Sequence, residues 1–217
     1  MITTVELFCG TKSFTKIART LGCQTFTTDS NPAFNPDICK DILVLNGSDF
    51  PRGVDILWAS PPCECFSVAS IGTHWNTERM PKSDRAKVAL RVVEKMVNLI
   101  KEINPRYFFI ENPRAMMRTL PIMAQFRRTT VTYCQYGETR MKATDIWTNS
   151  DIELKPPCKY GDKCHVPAPR GSKTGTQGMD GKVSRGVVPE RLCKDIIEWC
   201  LQNIPQKPEG SIKEAQQ

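Results

Sequence analysis

The sequence lacks any apolar run near the ~20 residues that a membrane span requires, so no spanning helix is expected. It also lacks a basic segment leading into an apolar core at its start. Met1-Ile-Thr-Thr runs straight into the first apolar stretch, which argues against a secretory leader. No internal repeat and no heptad pattern recurs, which excludes solenoids and coiled coils. Cysteine is plentiful, at 10 residues, but no compact framework organises it. Without a leader, the expectation is reduced thiols in a cytosolic setting. What remains is a soluble globular composition, 40% hydrophobic and 24% charged over 217 residues, which suits one domain with a small appendage. The net charge of +7 suits a polyanion such as nucleic acid, although many soluble proteins without such a partner are equally basic.

The chain is organised around Asp55-Ile-Leu-Trp-Ala-Ser-Pro-Pro-Cys-Glu-Cys-Phe-Ser67. Ile56 to Ala59 reads as a buried strand. Ser60, Pro61 and Pro62 stop it, because proline has no N–H and a fixed φ. The rigid turn presents the thiol of Cys63. An open α/β sheet places its chemistry at the carboxyl ends of its strands. A lone cysteine beside a turn is more often inert and structural; here the neighbours favour function. Strand-Ser-Pro-Pro-Cys-x-x-Phe-Ser resembles the nucleophile motif of the DNA cytosine-5 methyltransferases. That resemblance implies roles in substrate binding for Ser60, Pro62, Glu64, Phe66 and Ser67, and a cofactor contact for Pro61. Glu64 stands where the family usually has Gln, which leaves open a transferred group other than a plain methyl.

Upstream, Ile2–Phe8 reads as a first strand, Cys9-Gly10-Thr11-Lys12-Ser13 as a turn and Phe14–Leu21 as an amphipathic helix ending at Gly22. Strand, glycine turn and helix open nucleotide-binding α/β units, although a plain tight turn explains one glycine equally well. Glu6-Leu7-Phe8-Cys9-Gly10 resembles the family's S-adenosylmethionine motif, except that Lys12 replaces a second glycine. Gln24–Thr28 reads as a second strand ending at Asp29, where dinucleotide folds bind ribose; Asp29-Ser30-Asn-Pro32 is also turn chemistry. Asp41-Ile42 resembles the short family motif that borders the adenine. The resemblance thus implies cofactor contacts at Phe8, Cys9, Gly10, Thr11, Asp29, Ser30, Asp41, Ile42, Pro61 and, near the C-terminus, Val187.

Val68–Ser83 is polar and basic, too long and irregular for a simple connection; the family holds a loop here that closes over DNA. Ser83 should cap a helix whose apolar face is Ala89, Val92, Val93, Met96, Ile100 and Ile103, ended by Asn104-Pro105. Arg106–Ile110 should be a strand delivering Glu111-Asn112-Pro113 just past its end. In the family an acidic residue followed by Asn holds the target cytosine, so Glu111 is the expected proton or hydrogen-bond partner at ring nitrogen 3, with Asn112 beside it. Thr129–Gln135 and Thr144–Thr148 read as strands around a Tyr136-Gly137 turn. Arg140-x-Lys142 resembles the family's Arg-x-Arg at this place, with Arg140 the more specific contact because its planar fork matches a carbonyl.

From Ser150 to Arg185 glycine, proline and lysine dominate, where the family carries a large target-recognition region. Cys158-x5-Cys164-His165 matches no standard zinc spacing, so the expectation is free loop thiols and no metal. Should zinc bind, Cys158, Cys164 and His165 are the candidates, with a fourth ligand from elsewhere. Arg185-Gly-Val-Val-Pro189 should start a final helix to about Asn203, folded back beside the cofactor.

These motifs span roughly residues 2–203 in the family's order. The implied fold is α/β, a doubly wound, mostly parallel Rossmann-like sheet. The implied divisions are a catalytic domain of 1–149 and 186–203, a recognition insert of 150–185 and a frayed tail of 204–217. The implied activity is methyl transfer from S-adenosylmethionine to carbon 5 of cytosine in DNA, through a Cys63 adduct at carbon 6 and a flipped base. The expected form is a monomer acting on DNA in a bacterial or phage-infected cytoplasm, away from membranes. Modification of RNA or free nucleotides, transfer of another one-carbon group, and a weakly active nucleic-acid-binding relic are the alternatives. Lys12 and Arg185 favour the relic; Cys63, Glu111 and Arg140 oppose it.

Overall fold

The buried run Ile56–Ala59 becomes the middle strand of a seven-stranded sheet. The computed structural model describes residues 1–159, 161–167 and 182–205. Residues 160, 168–181 and 206–217, with much of the expected recognition insert and most of the expected tail, lie outside the described residues.

In chain order the elements are β1 (Thr3–Leu7), α1 (Ser13–Thr20), β2 (Gln24–Asp29), β3 (Ile38–Cys39), β4 (Ile56–Ala59), α2 (Ile71–His74), α3 (Asp84–Ile103), β5 (Tyr107–Pro113), β6 (Arg127–Thr132), β7 (Ala143–Thr148), α4 (Lys182–Gly186) and α5 (Glu190–Asn203), with short 3-10 turns between them. The sheet order is β3-β2-β1-β4-β5-β7-β6. Strands β1 to β5 pair in parallel, whereas β7 runs antiparallel to both β5 and β6. This is the doubly wound, mostly parallel α/β architecture that the alternation of strands and helices predicts. Among the described residues no helix is long and apolar enough to cross a membrane.

Two apolar layers sandwich the sheet. On one face α3 packs with Leu7, Leu57, Phe108 and Ile110; on the other, α1 and α5 cover Ile56, Trp58, Phe109 and Ile146. Alternate residues of β4 serve opposite layers, as a strand buried on both faces requires. Phe14 of α1 stacks on Trp58 with ring centroids 5.1 Å apart. The long helix forms as its pattern predicts. The Ser83 hydroxyl accepts from the Ala86 N–H at 3.1 Å, Asp84 sits in the first turn, and Asn104 closes the helix in a left-handed conformation at φ 50° before Pro105. Val93, Met96 and Ile100 are buried, as are Val97 and Leu99, which the three- and four-residue steps passed over. Each such side chain removed from water contributes about 1.5–3 kcal/mol before entropy is counted.

Two boundaries differ from expectation. Glu111 and Asn112 lie inside β5 and not beyond it, paired with Ile146 and Asp145. The cause is β7, which runs along β5 past the end of β4. The final helix does not begin at Arg185: α4 stops at Gly186, and α5 starts at Glu190 after an extended Val187-Val188-Pro189. The 68–83 segment is largely exposed, as its polar content predicts, but Trp75 anchors it. Trp75 is 3% exposed, donates its indole N–H to the Cys65 carbonyl at 2.7 Å, and packs on Phe66 with centroids 5.6 Å apart.

Candidate active site

Registers put the sequence candidates on one edge. Leu7 aligns with Thr28 and with Ala59, and Ala59 with Ile110. Phe8, Asp29, Ser60 and Glu111 therefore follow at the same, carboxyl end of the sheet. β7 is antiparallel to β5, so Arg140 and Lys142, just before it, arrive at that edge too.

At β1 the chain takes three left-handed residues in five: Phe8 (φ 56°), Gly10 (φ 45°) and Lys12 (φ 57°). A non-glycine residue in that region costs on the order of 1 kcal/mol, and such strain gathers at functional sites. Lys12 thus keeps the backbone that a second glycine would adopt freely, while its ammonium leaves the turn to reach the Asn35 carbonyl at 2.6 Å. Asp29 braces the turn, accepting from the Gly10 N–H at 3.0 Å and the Asn31 N–H at 2.9 Å. Asp41 caps its own 3-10 turn by accepting from the Leu43 N–H, with Ile42 buried behind it. Thr11 and Ser13 hydroxyls lie 3.1 Å apart, and the Val188 N–H donates to the Ser13 hydroxyl at 3.2 Å, which brings Val187 and the start of α5 to the same turn. Ser30 is exposed beside Asp29. The Cys9 side chain, by contrast, is buried, and burial raises its thiol to about 12.

At β4 the Ser60 hydroxyl accepts from the Trp58 indole at 2.8 Å, Pro61 is buried and Pro62 exposed. Asn112 donates from its amide nitrogen to the Pro61 carbonyl at 2.9 Å, which ties the Pro-Pro turn to β5. Cys63 is half-buried. Its thiol is raised above the ordinary range, first by burial and then by the Glu111 charge, with Lys142 opposing. Cys65, two residues on, has little surface exposed. Glu64 is ion-paired with Arg85 at 2.9 Å, and Ser67 lies 2.9 Å from Ser70 at the start of α2. Phe66, expected to touch substrate, is 1% exposed and belongs to the core; its aromatic ring is needed to seat Trp75.

Glu111 is 5% exposed, accepts from the Tyr133 hydroxyl at 2.8 Å and lies 3.5 Å from the Lys142 ammonium. Lys142 sits 4.5 Å from the Tyr133 ring centroid, and the Arg140 guanidinium 5.4 Å. Arg140 donates to both Glu138 oxygens and to the Val187 carbonyl at 3.0 Å. Two buried polar atoms here have no hydrogen-bond partner among the described residues: Asn112 Oδ1 and Arg140 Nη1. A buried polar atom left unpaired costs about 1–3 kcal/mol, so each atom calls for a polar partner.

Residues 2–121 match the family model described as C-5 cytosine-specific DNA methylase. The chain belongs to that family. A relative from frog virus 3 (isolate Goorha), named "Probable DNA (cytosine-5)-methyltransferase", is 26% identical over 220 residues, which cover 90% of this chain and 99% of the relative. A solved E. coli structure described as "putative DNA modification methyltransferase encoded within prophage" superposes with a TM-score of 0.50 at 14% identity; the match covers 68% of this chain but only 46% of that one.

Four residues that shape this edge left no functional signal in the sequence. Tyr133 and Glu138 gave no signal, because nothing local ties a strand-end Tyr to Glu111 or a turn Glu to Arg140. Ser13 holds α5 from 175 positions away. Glu6 was quoted only as part of a motif; it is 3% exposed, its carboxyl pushed up to about 7 by burial, and it accepts from the Thr15 N–H at 2.9 Å and the Phe14 N–H at 3.3 Å. It anchors the start of α1, a place where a carboxylate meets open backbone donors.

Proposed function

We propose that this chain transfers a methyl group from S-adenosylmethionine to carbon 5 of cytosine in DNA. The observation that carries the reading is the Cys63–Glu111 pair, held on one sheet edge by the Asn112–Pro61 bond and electrostatically coupled. The turn at Phe8–Thr11, with Asp29, Ser30, Asp41, Ile42, Pro61 and Val187, fits a ligand with ribose hydroxyls, an apolar purine and a charged tail. When bound, S-adenosylmethionine supplies an electrophilic methyl.

The residues of the chain do the rest. The Cys63 sulfur adds to carbon 6 of the ring, which makes carbon 5 nucleophilic. Glu111 holds a proton at ring nitrogen 3, where charge develops. Arg140, whose Nη1 has no partner among the described residues, binds the carbonyl at position 2 on this reading, and Lys142 steadies both Glu111 and the forming thiolate. Once carbon 5 carries the methyl, its proton passes to water, and the electron pair left behind re-forms the ring double bond as the sulfur–carbon 6 bond breaks and returns Cys63. A cytosine in a duplex reaches this edge only if flipped out of the stack. Beside it, a cleft of about 480 Å3 is lined by Asn76, Thr77, Arg79, Arg114 and Arg118. Arg118 is committed to Asp145 at 2.9 Å, whereas Arg79 and Arg114 are exposed and suit phosphate contact.

Asp29→Ala should weaken binding of S-adenosylmethionine by about 1–3 kcal/mol, since ribose hydroxyls lose a charged partner and the Gly10 turn loses its brace. Calorimetry detecting no binding to the unaltered protein would remove the cofactor assignment. The activity itself is tested by sequencing modified bases in DNA from cells expressing the chain. The recognition insert can place few base-reading side chains, each worth roughly 1–3 kcal/mol. A short target or weak sequence preference is therefore expected. A fixed site of about six or more base pairs would contradict that reading, and DNA without 5-methylcytosine would contradict the activity.

A further inference from the structure

Apart from the site described above, the chain gathers a second constellation that the methyl transfer does not use. Cys134, in the 3-10 turn that follows β6, meets Cys158, Cys164 and His165 of the 150–167 segment. Their ligand atoms all lie within 4.8 Å of one another. Cys134 and Cys158 sulfurs are 3.2 Å apart, and Cys164 to Cys134 is 3.7 Å. His165 Nδ1 lies 3.7 Å from Cys158 and 3.6 Å from Cys164. We propose that these four side chains form a Cys3His site for one structural zinc ion.

The geometry carries this inference. Tetrahedral zinc with S and N ligands sets sulfur–sulfur edges of ~3.8 Å and sulfur–nitrogen edges of ~3.5 Å, from its bond lengths of ~2.3 and ~2.0 Å. Three of the four distances above fall near those edges. A disulfide would bring two sulfurs to ~2.05 Å, and all ten cysteines are free. Three thiolates and one imidazole form a soft, borderline donor set that suits zinc over calcium or magnesium. Four protein ligands close the coordination sphere, as in structural and not catalytic sites. Binding would displace one proton from each thiol and involves no change of oxidation state.

The location gives the ion a task. Residues 151–159 and 161–167 carry no helix or strand. Backbone bonds hold them at only a few points: the Lys155 N–H donates to the Tyr136 hydroxyl, the Cys158 N–H to the Thr132 hydroxyl and the Val166 N–H to the Thr139 carbonyl. Zinc would clamp this segment onto the turn that leads through Gly137 to Arg140 and Lys142. A segment too small to bury its own core commonly relies on a metal in this way. On this proposal Cys134 is the fourth ligand that the sequence spacing did not reveal, in place of the free loop thiols expected from spacing alone.

The test uses the full chain purified under reducing, oxygen-free conditions. Metal analysis should find about one zinc per chain, released by an organomercurial. Cobalt(II) added in its place should give thiolate charge-transfer absorption and the intense visible bands of tetrahedral cobalt. Cys164 is exposed, so Cys164→Ser disturbs the apo fold least. It and His165→Ala should each bind cobalt at least about tenfold more weakly, with circular dichroism reporting the fold, while Cys39→Ser, off the cluster, should bind as before. Chains free of zinc that give no cobalt spectrum would overturn the site. So would a Cys134–Cys158 disulfide found by peptide mass spectrometry, or full metal retention in both cluster variants.

Discussion

Cys63→Ser should reduce methyl transfer by at least about 1000-fold while S-adenosylmethionine binding survives. Serine keeps the shape of the turn but is a far weaker nucleophile near neutral pH. The Pro61–Pro62 stop and the Asn112–Pro61 bond hold position 63 in place whichever atom it carries, so the loss belongs to the sulfur. Cys65→Ser should cost far less, because that thiol is buried in the core and its carbonyl, not its sulfur, serves Trp75. DNA containing 5-fluorocytosine makes the assignment direct. Fluorine cannot leave as a proton does, so the chain should remain attached through Cys63. Mass spectrometry that located the bond at Cys65, or active enzyme that was never trapped, would sink the assignment.

Glu111→Gln should move two measurements in opposite directions. Methyl transfer should fall by roughly 10²–10⁴-fold, the usual contribution of a positioned proton donor. Alkylation of Cys63 by iodoacetamide in the free protein should instead speed up several-fold. The reason is electrostatic. Burial and the Glu111 charge both hold the Cys63 thiol above its ordinary range. Removing that charge lowers the thiol pKa and releases Lys142 to favour the thiolate, so more thiolate is present at a given pH. In the unaltered protein the alkylation rate should still be climbing as pH rises beyond neutral; in the variant the same climb should begin at lower pH. Gln can still accept from Tyr133, so the fold should hold. A parallel drop in both measurements would make Glu111 a merely structural residue, and unchanged transfer would end its role at ring nitrogen 3.

Periodicity and punctuation determined a large part of this molecule. Ile56–Ala59 with its proline stop, the Ser83 cap with its three- and four-residue apolar steps, and the turn after β1 each answer to local forces, which act within a few residues. Cys63, Glu111 and Asp29 were legible for the same reason, because a parallel sheet sends every strand end to one edge. The tertiary structure alone decided what depends on a partner strand or a distant residue. β7 runs antiparallel and lengthens β5 past β4, which draws Glu111 and Asn112 into the sheet. Phe66 and Trp75 find each other and anchor a largely exposed loop at one point. Tyr133 reaches Glu111 across 22 positions, and Ser13 reaches Val188 across 175. Cys134 joins Cys158 across 24. None of these pairings leaves a spacing to read, since their partners become neighbours only once the sheet has closed the distance between them.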